Sequence, residues 1–177
     1  MFLNHILAEA KHNYVTDYME DFRIERLEDG DVGLAVQLCD DVFREHDTIA
    51  SDHIKMEFCT QTEVSCKAVL NGRMIGCYLL NEDSVYLRDD FTMYEDVSAY
   101  YEKRSIHGLA IALHAEYRGL GYGKLLRAFP CRPEKYDYVW GFHVKSLNNI
   151  AEWTRFGRRI VGESPECFMT IMDLKNQ

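Results

Sequence analysis

One stretch, residues 106–126, constrains the fold more than any other part of the 177-residue chain. It reads IHGLAIALHAEYRGLGYGKLL, an apolar run followed by Gly119, Gly121 and Gly123 and then by helix-forming residues. Such an order predicts a buried strand, a tight loop and the first turn of a helix. That first turn presents unpartnered backbone N–H groups and the positive end of the helix dipole. The sequence therefore predicts an anion-binding loop at residues 118–124.

Spacing excludes two common phosphate-binding loops. A Walker loop ends in Gly-Lys-Ser/Thr, whereas Lys124 is followed here by Leu125. A dinucleotide fingerprint needs a further glycine three positions after Gly121, and Lys124 stands there. Glycines nevertheless let the backbone approach a phosphate closely, and Arg118 and Lys124 add positive charge at the two ends of the loop. The anion expected here therefore belongs to a different class of ligand.

The pattern resembles the acetyl-CoA loop of the GNAT superfamily of N-acetyltransferases, whose signature is Arg/Gln-x-x-Gly-x-Gly/Ala. Arg118, Gly121 and Gly123 fill its three specified positions, and the resemblance runs without a gap over residues 111–126, with Ala115 in place of the usual proline. It implies that acetyl-CoA is the co-substrate, with no metal. The backbone and loop residues that it assigns to CoA are Leu113, Arg118, Gly119, Leu120, Gly121, Tyr122, Gly123 and Lys124. A glycine-rich turn without a ligand is the alternative.

The resemblance also places the chemistry on the strand before the loop. Attack on a thioester needs a neutral amine, and a lysine-like ammonium with a pKa of about 10.4 needs a base to remove its proton at neutral pH. His107 lies eleven residues before Arg118, where histone-type members carry a catalytic glutamate, so we predict His107 as that base. The alternative for His107 is a buried, hydrogen-bonded histidine.

The thioester carbonyl needs a hydrogen-bond donor during the reaction, and the backbone N–H of Leu113 is predicted to supply it as an oxyanion-type contact. Strand alternation places His107, Leu109, Ile111 and Leu113 on one face, unless a bulge intervenes. In the family, this strand and the next one separate to admit the pantetheine arm of CoA. The resemblance therefore implies backbone binding along this strand.

A second region, Asn148-Asn149-Ile150-Ala151, resembles the family's Asn-x-x-Ala helix start and implies a CoA contact at Asn148. The family usually has a tyrosine four residues after that alanine, which protonates the departing thiolate. Arg155 stands there, and a shifted alignment puts Trp153 there instead. The sequence leaves the proton donor open between another tyrosine, such as Tyr138, and water.

The order of predicted helices and strands along the rest of the chain indicates an α/β fold. We expect a mixed, mostly antiparallel central sheet flanked by helices, as in GNAT-like acyl-CoA N-acyltransferases. Asn71-Gly72 between two alternating apolar runs is a strong hairpin signal. The whole chain, 1–177, is interpreted as one domain with an extra N-terminal helix at about 1–20. His46 and Asp47, in a weaker helical region, are candidate substrate contacts.

The segment 81–104 is interpreted as an acidic insertion before the central strand. Its carboxylates alternate with aromatic rings. One interpretation is a solvated acidic flap. The other is a surface that receives a cationic amine through ion pairing and cation–π contact.

Composition narrows the classes of partner. The net charge of −9 argues against nucleic acid, because phosphate contacts need a basic face. No run of about twenty apolar residues predicts a membrane span, and the polar residues within 1–20 argue against a signal peptide. The six cysteines form no Cys-x-x-Cys pair, so they predict no zinc site and a reducing, cytoplasmic location. A homodimer is left open.

Three functions follow. The expected one is transfer of an acetyl group from acetyl-CoA to a primary amine, on a small cationic acceptor, within a ternary complex. The second is an acyl-CoA-binding or regulatory module without catalysis, which the missing tyrosine would suit. The third is a protein lysine or N-terminal acetyltransferase, whose basic peptide would dock on the acidic segment.

Overall fold

The structure is a computed structural model, and it describes residues 21–44, 57 and 59–175. The N-terminal helix expected at 1–20 and the candidate contacts His46 and Asp47 lie outside the described residues.

An eight-stranded sheet forms the centre of the described chain, in the order β1-β2-β3-β5-β6-β8-β7-β4. Neighbouring strands run antiparallel, except for β5 and β6, which run parallel. The mixed, mostly antiparallel sheet predicted from the sequence is thereby confirmed. The strands are β1 (Phe22–Arg26), β2 (Cys66–Leu70), β3 (Arg73–Asn81), β4 (Thr92–Met93), β5 (Ser105–Leu113), β6 (Tyr138–Val144), β7 (Arg159–Glu163) and β8 (Cys167–Asp173).

Helices cover both faces of this sheet. The described α-helices are α1 (Val32–Arg44), α2 (Tyr122–Ala128) and α3 (Ile150–Arg155). On one face, Ala35 and Val36 of α1 pack with Cys77 and Leu79 of β3. On the opposite face, α2 and α3 pack over side chains that alternate with these along the strands. We call the first the α1 face and the second the α2–α3 face.

The hairpin between β2 and β3 turns at Asn71 and Gly72, as the sequence predicts. Both residues have positive φ, 51° and 76°. Asn and Gly tolerate this left-handed conformation, which a two-residue hairpin turn requires at both central positions. The turn places β3 beside β5, so that β3 supports the strand expected to carry the chemistry.

A bulge interrupts the alternation of β5. Leu79 of β3 pairs with Ala110, but the next residue, Leu80, pairs with Gly108, so Leu109 is the extra residue. The bulge shifts by one residue the alternation of the following side chains between the two faces of the sheet. Ile111 and Leu113 consequently pack on the α2–α3 face. His107 packs on the opposite side. The shared face of His107, Leu109, Ile111 and Leu113 was expected only in the absence of a bulge, and this bulge separates His107 from Ile111 and Leu113.

The acidic segment, residues 81–104, begins with the last residue of β3 and then crosses the α1-face side of the sheet. Val85 and Val97 are buried there against Trp140 and Ile171. Its β4 pairs with β7 and extends the sheet by two residues. These contacts show that the segment is packed against the sheet along part of its length and is not a free flap.

Several carboxylates of this segment hold it in place. Glu82 forms an ion pair with Lys135, and Glu95 forms one with Arg159. Asp90 pairs with Arg88 within the segment, at 2.9 Å between Oδ2 and Nη2. These acidic side chains therefore stabilise the local structure.

None of the described helices is long and apolar enough to cross a membrane.

Candidate active site

Strands β5 and β6 separate halfway along their length. Their parallel pairing runs from Ser105 opposite Tyr138 to Gly108 opposite Gly141 and extends no further in the described chain. Beyond that pair, β5 continues to Leu113 and β6 to Val144. The two strands therefore leave a slot between them, which we call the splay.

Backbone polar groups of β5 line the splay. The N–H of His114 donates to Ile75 O on β3, at 3.0 Å. Because successive N–H groups of a strand point to opposite sides, the N–H and C=O of Leu113 point toward β6. The structure thus presents the predicted Leu113 N–H on the side of the splay.

Arg118 closes the end of the splay. Its Nε donates to the carbonyl oxygen of Leu113, at 3.0 Å. This bond ties the loop 118–121 to the last residue of β5, so that the loop and the Leu113 backbone groups lie side by side. Arg118 was expected to contact CoA, and the structure adds this positioning role.

The glycine loop has the conformation that its sequence predicts. Gly119 and Gly121 have φ of 77° and 90°, a region that other residues enter only with strain. Gly121 precedes the first turn of α2, and its carbonyl accepts a bond from Lys124 N–H. Positions facing Gly119 and Gly123 are open, with no atom within 4 Å of an added methyl group. The loop backbone is consequently accessible.

The side chains of the loop divide into two groups. Leu120 and Lys124 are exposed beside the loop. Tyr122, by contrast, is buried, and its ring packs 4.7 Å from that of Phe22. Tyr122 therefore has a packing role, and only its backbone is available to a ligand at the loop.

The second region of resemblance also forms a helix start. Asn148 is exposed in a left-handed conformation, with φ of 47°, two residues before the start of α3. Within α3, Trp153 points into the core and Arg155 is exposed. Trp153 thus occupies the inward position of this helix. Tyr138, the tyrosine suggested as an alternative donor, lies at the start of β6 against Tyr100, away from the splay.

His107 lies immediately before the splay, opposite Trp140, and only 5% of its surface is exposed. Its ring stacks on Trp140 with centroids 3.9 Å apart, and Tyr86 of the acidic segment packs edge-on against both rings. Its Nδ1 is buried and has no hydrogen-bond partner among the described residues.

Burial, and secondarily the charge of Arg158, lowers the pKa of His107 to about 3. The imidazole is therefore neutral at physiological pH and has a lone pair ready to accept a proton. A proton placed on it costs about 4 to 5 kcal/mol relative to an imidazole in water, at about 1.36 kcal/mol per pH unit. A base in this position must pass its proton on quickly.

Sequence reasoning missed two features of the site. The first is Tyr86, which covers His107 and which the sequence suggested only as one of several aromatic residues in the acidic segment. The second is a pair on the α2–α3 face, where Arg158 Nη2 donates to the hydroxyl of Tyr78 at 3.1 Å. No local sequence pattern predicts this pair, because its two residues are 80 positions apart in the chain. Only the sheet topology brings them together.

The described residues contain no group of three or more His, Cys, Asp or Glu side chains arranged to hold a metal ion.

Comparison with known proteins gives results for structure but not for sequence. No family model matches the sequence, and no curated protein matches it. Among solved structures, a GNAT-family acetyltransferase from Streptococcus agalactiae has a TM-score of 0.66 at 10% identity, covering 89% of this chain and 98% of that chain.

Two further solved structures are similar to this chain. Naa50 of Arabidopsis thaliana, in complex with the bisubstrate analogue CoA-Ac-MVNAL, has a TM-score of 0.62 at 14% identity, covering 86% of this chain and 98% of that chain. The ribosomal-protein-S18-alanine N-acetyltransferase of Escherichia coli has a TM-score of 0.61 at 14% identity, covering 87% and 94%. This protein therefore has the fold of the GNAT-family acetyltransferases.

Proposed function

We propose that this protein is an N-acetyltransferase that transfers an acetyl group from acetyl-CoA to a primary amine, by direct attack within a ternary complex. The observation that carries the proposal is the splay between β5 and β6, which opens directly beside the glycine loop. In this proposal the loop backbone, Lys124 and Asn148 bind the phosphate end of CoA. The pantetheine arm enters the splay and pairs with backbone groups of β5.

The Leu113 N–H is proposed to polarise the thioester carbonyl. It points toward the splay, and its strand is fixed by β3 on one side and by the Arg118 bond at the end. A donor held in this way needs no rearrangement when negative charge develops on the oxygen. This rigidity favours the charged intermediate over the neutral thioester.

His107 is proposed as the base that receives the proton of the amine. Its unpartnered Nδ1 would gain a hydrogen bond from an ordered water that relays the proton of the amine, which offsets part of the cost of burying a polar atom. With its pKa lowered to about 3 by burial, the imidazole stays unprotonated throughout the neutral range, and the same burial makes it a weak base. The low value also means that the proton has to leave to water soon after transfer.

The acceptor is proposed to be a small cationic amine that approaches from the side of Tyr86. The Tyr86 ring is 45% exposed and lies over His107, so it offers a π face beside the base. The net charge of −9 favours attraction of a cation. Because several acids of the segment are engaged in ion pairs, the aromatic surface supports this proposal more strongly than the carboxylates do.

Calorimetric titration with acetyl-CoA, followed by measurement of free-thiol release against a panel of small amines, lysine peptides and N-terminal peptides, tests the function. Binding with amine-dependent release is the expected result. Release with peptides alone would favour a protein acetyltransferase instead, the activity that the name of one similar structure carries. Binding without release would favour a non-catalytic acyl-CoA module, and no binding would refute the proposal.

The substitution Gly121→Glu tests whether the glycine loop binds acetyl-CoA. A glutamate there is strained by the φ of 90° and brings negative charge to the phosphate site, so the affinity for acetyl-CoA should fall by at least roughly 30-fold. Gly30→Glu adds the same charge at a glycine with open space around it, and it should bind acetyl-CoA as the wild type does. Unchanged binding by Gly121→Glu would contradict the assignment of the loop.

A further inference from the structure

Two buried polar atoms without a hydrogen-bond partner lie on directly paired residues of neighbouring strands. Asn81, the last residue of β3, pairs with His107 of β5. Both side chains are buried, and neither Asn81 Oδ1 nor His107 Nδ1 has a partner among the described residues. The large majority of buried side-chain polar atoms are bonded to protein or to ordered water. Two such atoms at one strand pair therefore indicate a partner that they share.

The two side chains share one side of the sheet. His107 lies on the α1-face side, against the rings of Tyr86 and Trp140. Asn81 is directly opposite His107 in an antiparallel pair, so its side chain points to the same side, with the two Cβ atoms about 4.5 to 5.5 Å apart. Polar atoms that extend from such positions without bonding to each other are close enough to be bridged by one water molecule.

The orientation of the Asn81 amide is fixed by a neighbouring carboxylate. Its Nδ2 donates to Oδ2 of Asp83, at 2.7 Å. An ionised carboxylate can only accept hydrogen bonds, so the NH2 group of the amide has to face Asp83 and the oxygen has to be the atom that remains. An amide oxygen accepts and does not donate. The partner of Asn81 Oδ1 therefore has to supply a hydrogen.

Asp83 is itself held beside His107. Its backbone oxygen accepts hydrogen bonds from Ser105 Oγ, at 2.9 Å, and from Trp140 Nε1, at 3.1 Å. Trp140 is the ring on which His107 stacks. Asp83 thus holds the Asn81 amide through its side chain and the Trp140 ring through its backbone. Both neighbours of the imidazole are consequently fixed by the same residue.

One water molecule satisfies both unpartnered atoms. It donates one hydrogen to Asn81 Oδ1 and the other to His107 Nδ1, which is an acceptor in the tautomer that carries its hydrogen on Nε2. Because both hydrogens are directed at the strands, the lone pairs of the water oxygen can accept a hydrogen from the amine. Hydrogen bonds in a chain polarise one another, so two acceptors make this water a better proton acceptor. The second acceptor compensates in part for the weak basicity of a buried imidazole.

We infer that Asn81 is a positioning residue for the acetyl transfer, whose Oδ1 orients the water that relays the proton of the amine to His107. The inference rests on the proposed function. In this step an N–H bond of the ammonium breaks, and its electron pair stays on the nitrogen, which attacks the thioester carbon. The proton passes to the water, and one proton of the water passes to His107 Nδ1. Asn81 accepts the other hydrogen of the water throughout and exchanges no proton.

Asn81→Leu tests the inference, because leucine is similar in shape to asparagine and has no oxygen. With the best amine of the panel, we expect kcat to fall by roughly 10- to 100-fold, a part of what a correctly placed base contributes. The affinity for acetyl-CoA and KM for the amine should stay within about twofold, since Asn81 is not proposed to touch either substrate. Wild-type kcat in Asn81→Leu would overturn the inference.

A second readout separates orientation of the water from a packing effect. The loss of kcat/KM in Asn81→Leu is measured with the same amine and with its β-difluorinated derivative. Fluorine lowers the basicity of the amine, so under mildly alkaline conditions the derivative is mainly the free amine and needs little help from a base. The loss should be at least roughly fivefold smaller with the derivative. Equal losses would assign Asn81 a packing role and overturn the inference.

Two variants of Asp83 test how the amide is held. Asp83→Ala removes the acceptor of the Asn81 Nδ2 bond, so kcat should fall by roughly tenfold, the equivalent of about one hydrogen bond. Asp83→Asn still offers an oxygen to Nδ2 and should rescue most of that loss. An equal loss in both variants would mean that the charge of Asp83 is what matters, which would overturn its role in orienting Asn81.

Ser65→Ala is the matched control for the loss of a buried polar group. Ser65 is buried, and its Oγ bonds to both the N–H and the carbonyl oxygen of Leu80, the residue before Asn81. The variant should lose stability and keep wild-type kcat. A loss of kcat equal to that of Asn81→Leu would attribute both effects to a disturbed strand and overturn the inference. If the wild-type protein releases no thiol with any amine, the proposed function itself fails, whereas turnover that Asn81→Leu retains in full refutes only this inference.

Discussion

At the scale of single residues, burial decides what each titratable group in the site can do. His107 and Tyr78 lie one strand apart, and burial moves the pKa of the imidazole down and that of the phenol up. Each shift favours the neutral form, so at neutral pH the imidazole keeps an unprotonated ring nitrogen and the phenol keeps its hydrogen. The two groups thereby acquire opposite roles from the same physical cause.

The lowered pKa of His107 predicts how stability changes with pH. Between about 6.5, its value in the unfolded chain, and about 3 in the folded protein, the unfolded state binds a proton that the folded state does not. The free energy of unfolding therefore falls as the pH falls through this range. His107→Phe removes this contribution, so its stability relative to the wild type should rise by roughly 2 to 3 kcal/mol between pH 7.5 and 4.5.

Urea unfolding of both proteins at several pH values measures this difference. His143, whose pKa is also lowered by burial, remains in the variant and should retain part of the acid sensitivity. A stability difference that is independent of pH would contradict the burial of His107 as a neutral group.

At the scale of elements, sequence reasoning was most successful where a local pattern determines a local structure. The hairpin at Asn71-Gly72 and the glycine loop within residues 118–124 were predicted because turn chemistry and periodicity act over a few residues. The bulge at Leu109 was not predicted, since it arises from the pairing of two strands distant in sequence. The β4–β7 pairing was missed for the same reason.

Tyr86 of the acidic segment leads to a prediction about binding of the acceptor amine. Tyr86→Ala removes the ring over His107, so KM for a cationic amine should rise by roughly 3- to 10-fold, the equivalent of one cation–π contact, with little change in the affinity for acetyl-CoA. Steady-state kinetics with the best amine of the panel measures the effect. Tyr94→Ala is the control, because Tyr94 is exposed at the sheet edge where its N–H bonds to Val161 O.

An unchanged KM for Tyr86→Ala would mean that the amine approaches by another route. A loss of acetyl-CoA affinity equal to the effect on the amine would instead indicate that the variant disturbs the splay as a whole.

At the scale of the whole molecule, the fold class followed from the sequence, but the partnership of Tyr78 with Arg158 did not. Fold class depends on the order of elements, and the glycine loop fixes the position of the central strand within that order. The partnership depends on two glycines, Gly108 and Gly141, that leave room under the splay. Their effect appears only when the strands lie side by side.

Binding of acetyl-CoA should stabilise the entire fold, because the splay and the loop exist only in the folded chain. At a ligand concentration 100 times Kd the free energy of unfolding should rise by about 2.7 kcal/mol. For a chain of this size the midpoint of thermal unfolding then rises by roughly 5 to 10 °C. Thermal scans with and without acetyl-CoA measure the shift, which Gly121→Glu should abolish and Gly30→Glu should retain.

The bulge in β5 has a consequence for divergence between related enzymes. Because it reverses the alternation of the strand, the side chains proposed to face the amine and those proposed to face the coenzyme lie on opposite sides of the sheet. Substitutions on the side of Tyr86 and the acidic segment can then change the acceptor while the groups that handle the coenzyme stay intact. A sheet that works as a partition in this way allows one half of a two-substrate site to adapt independently of the other.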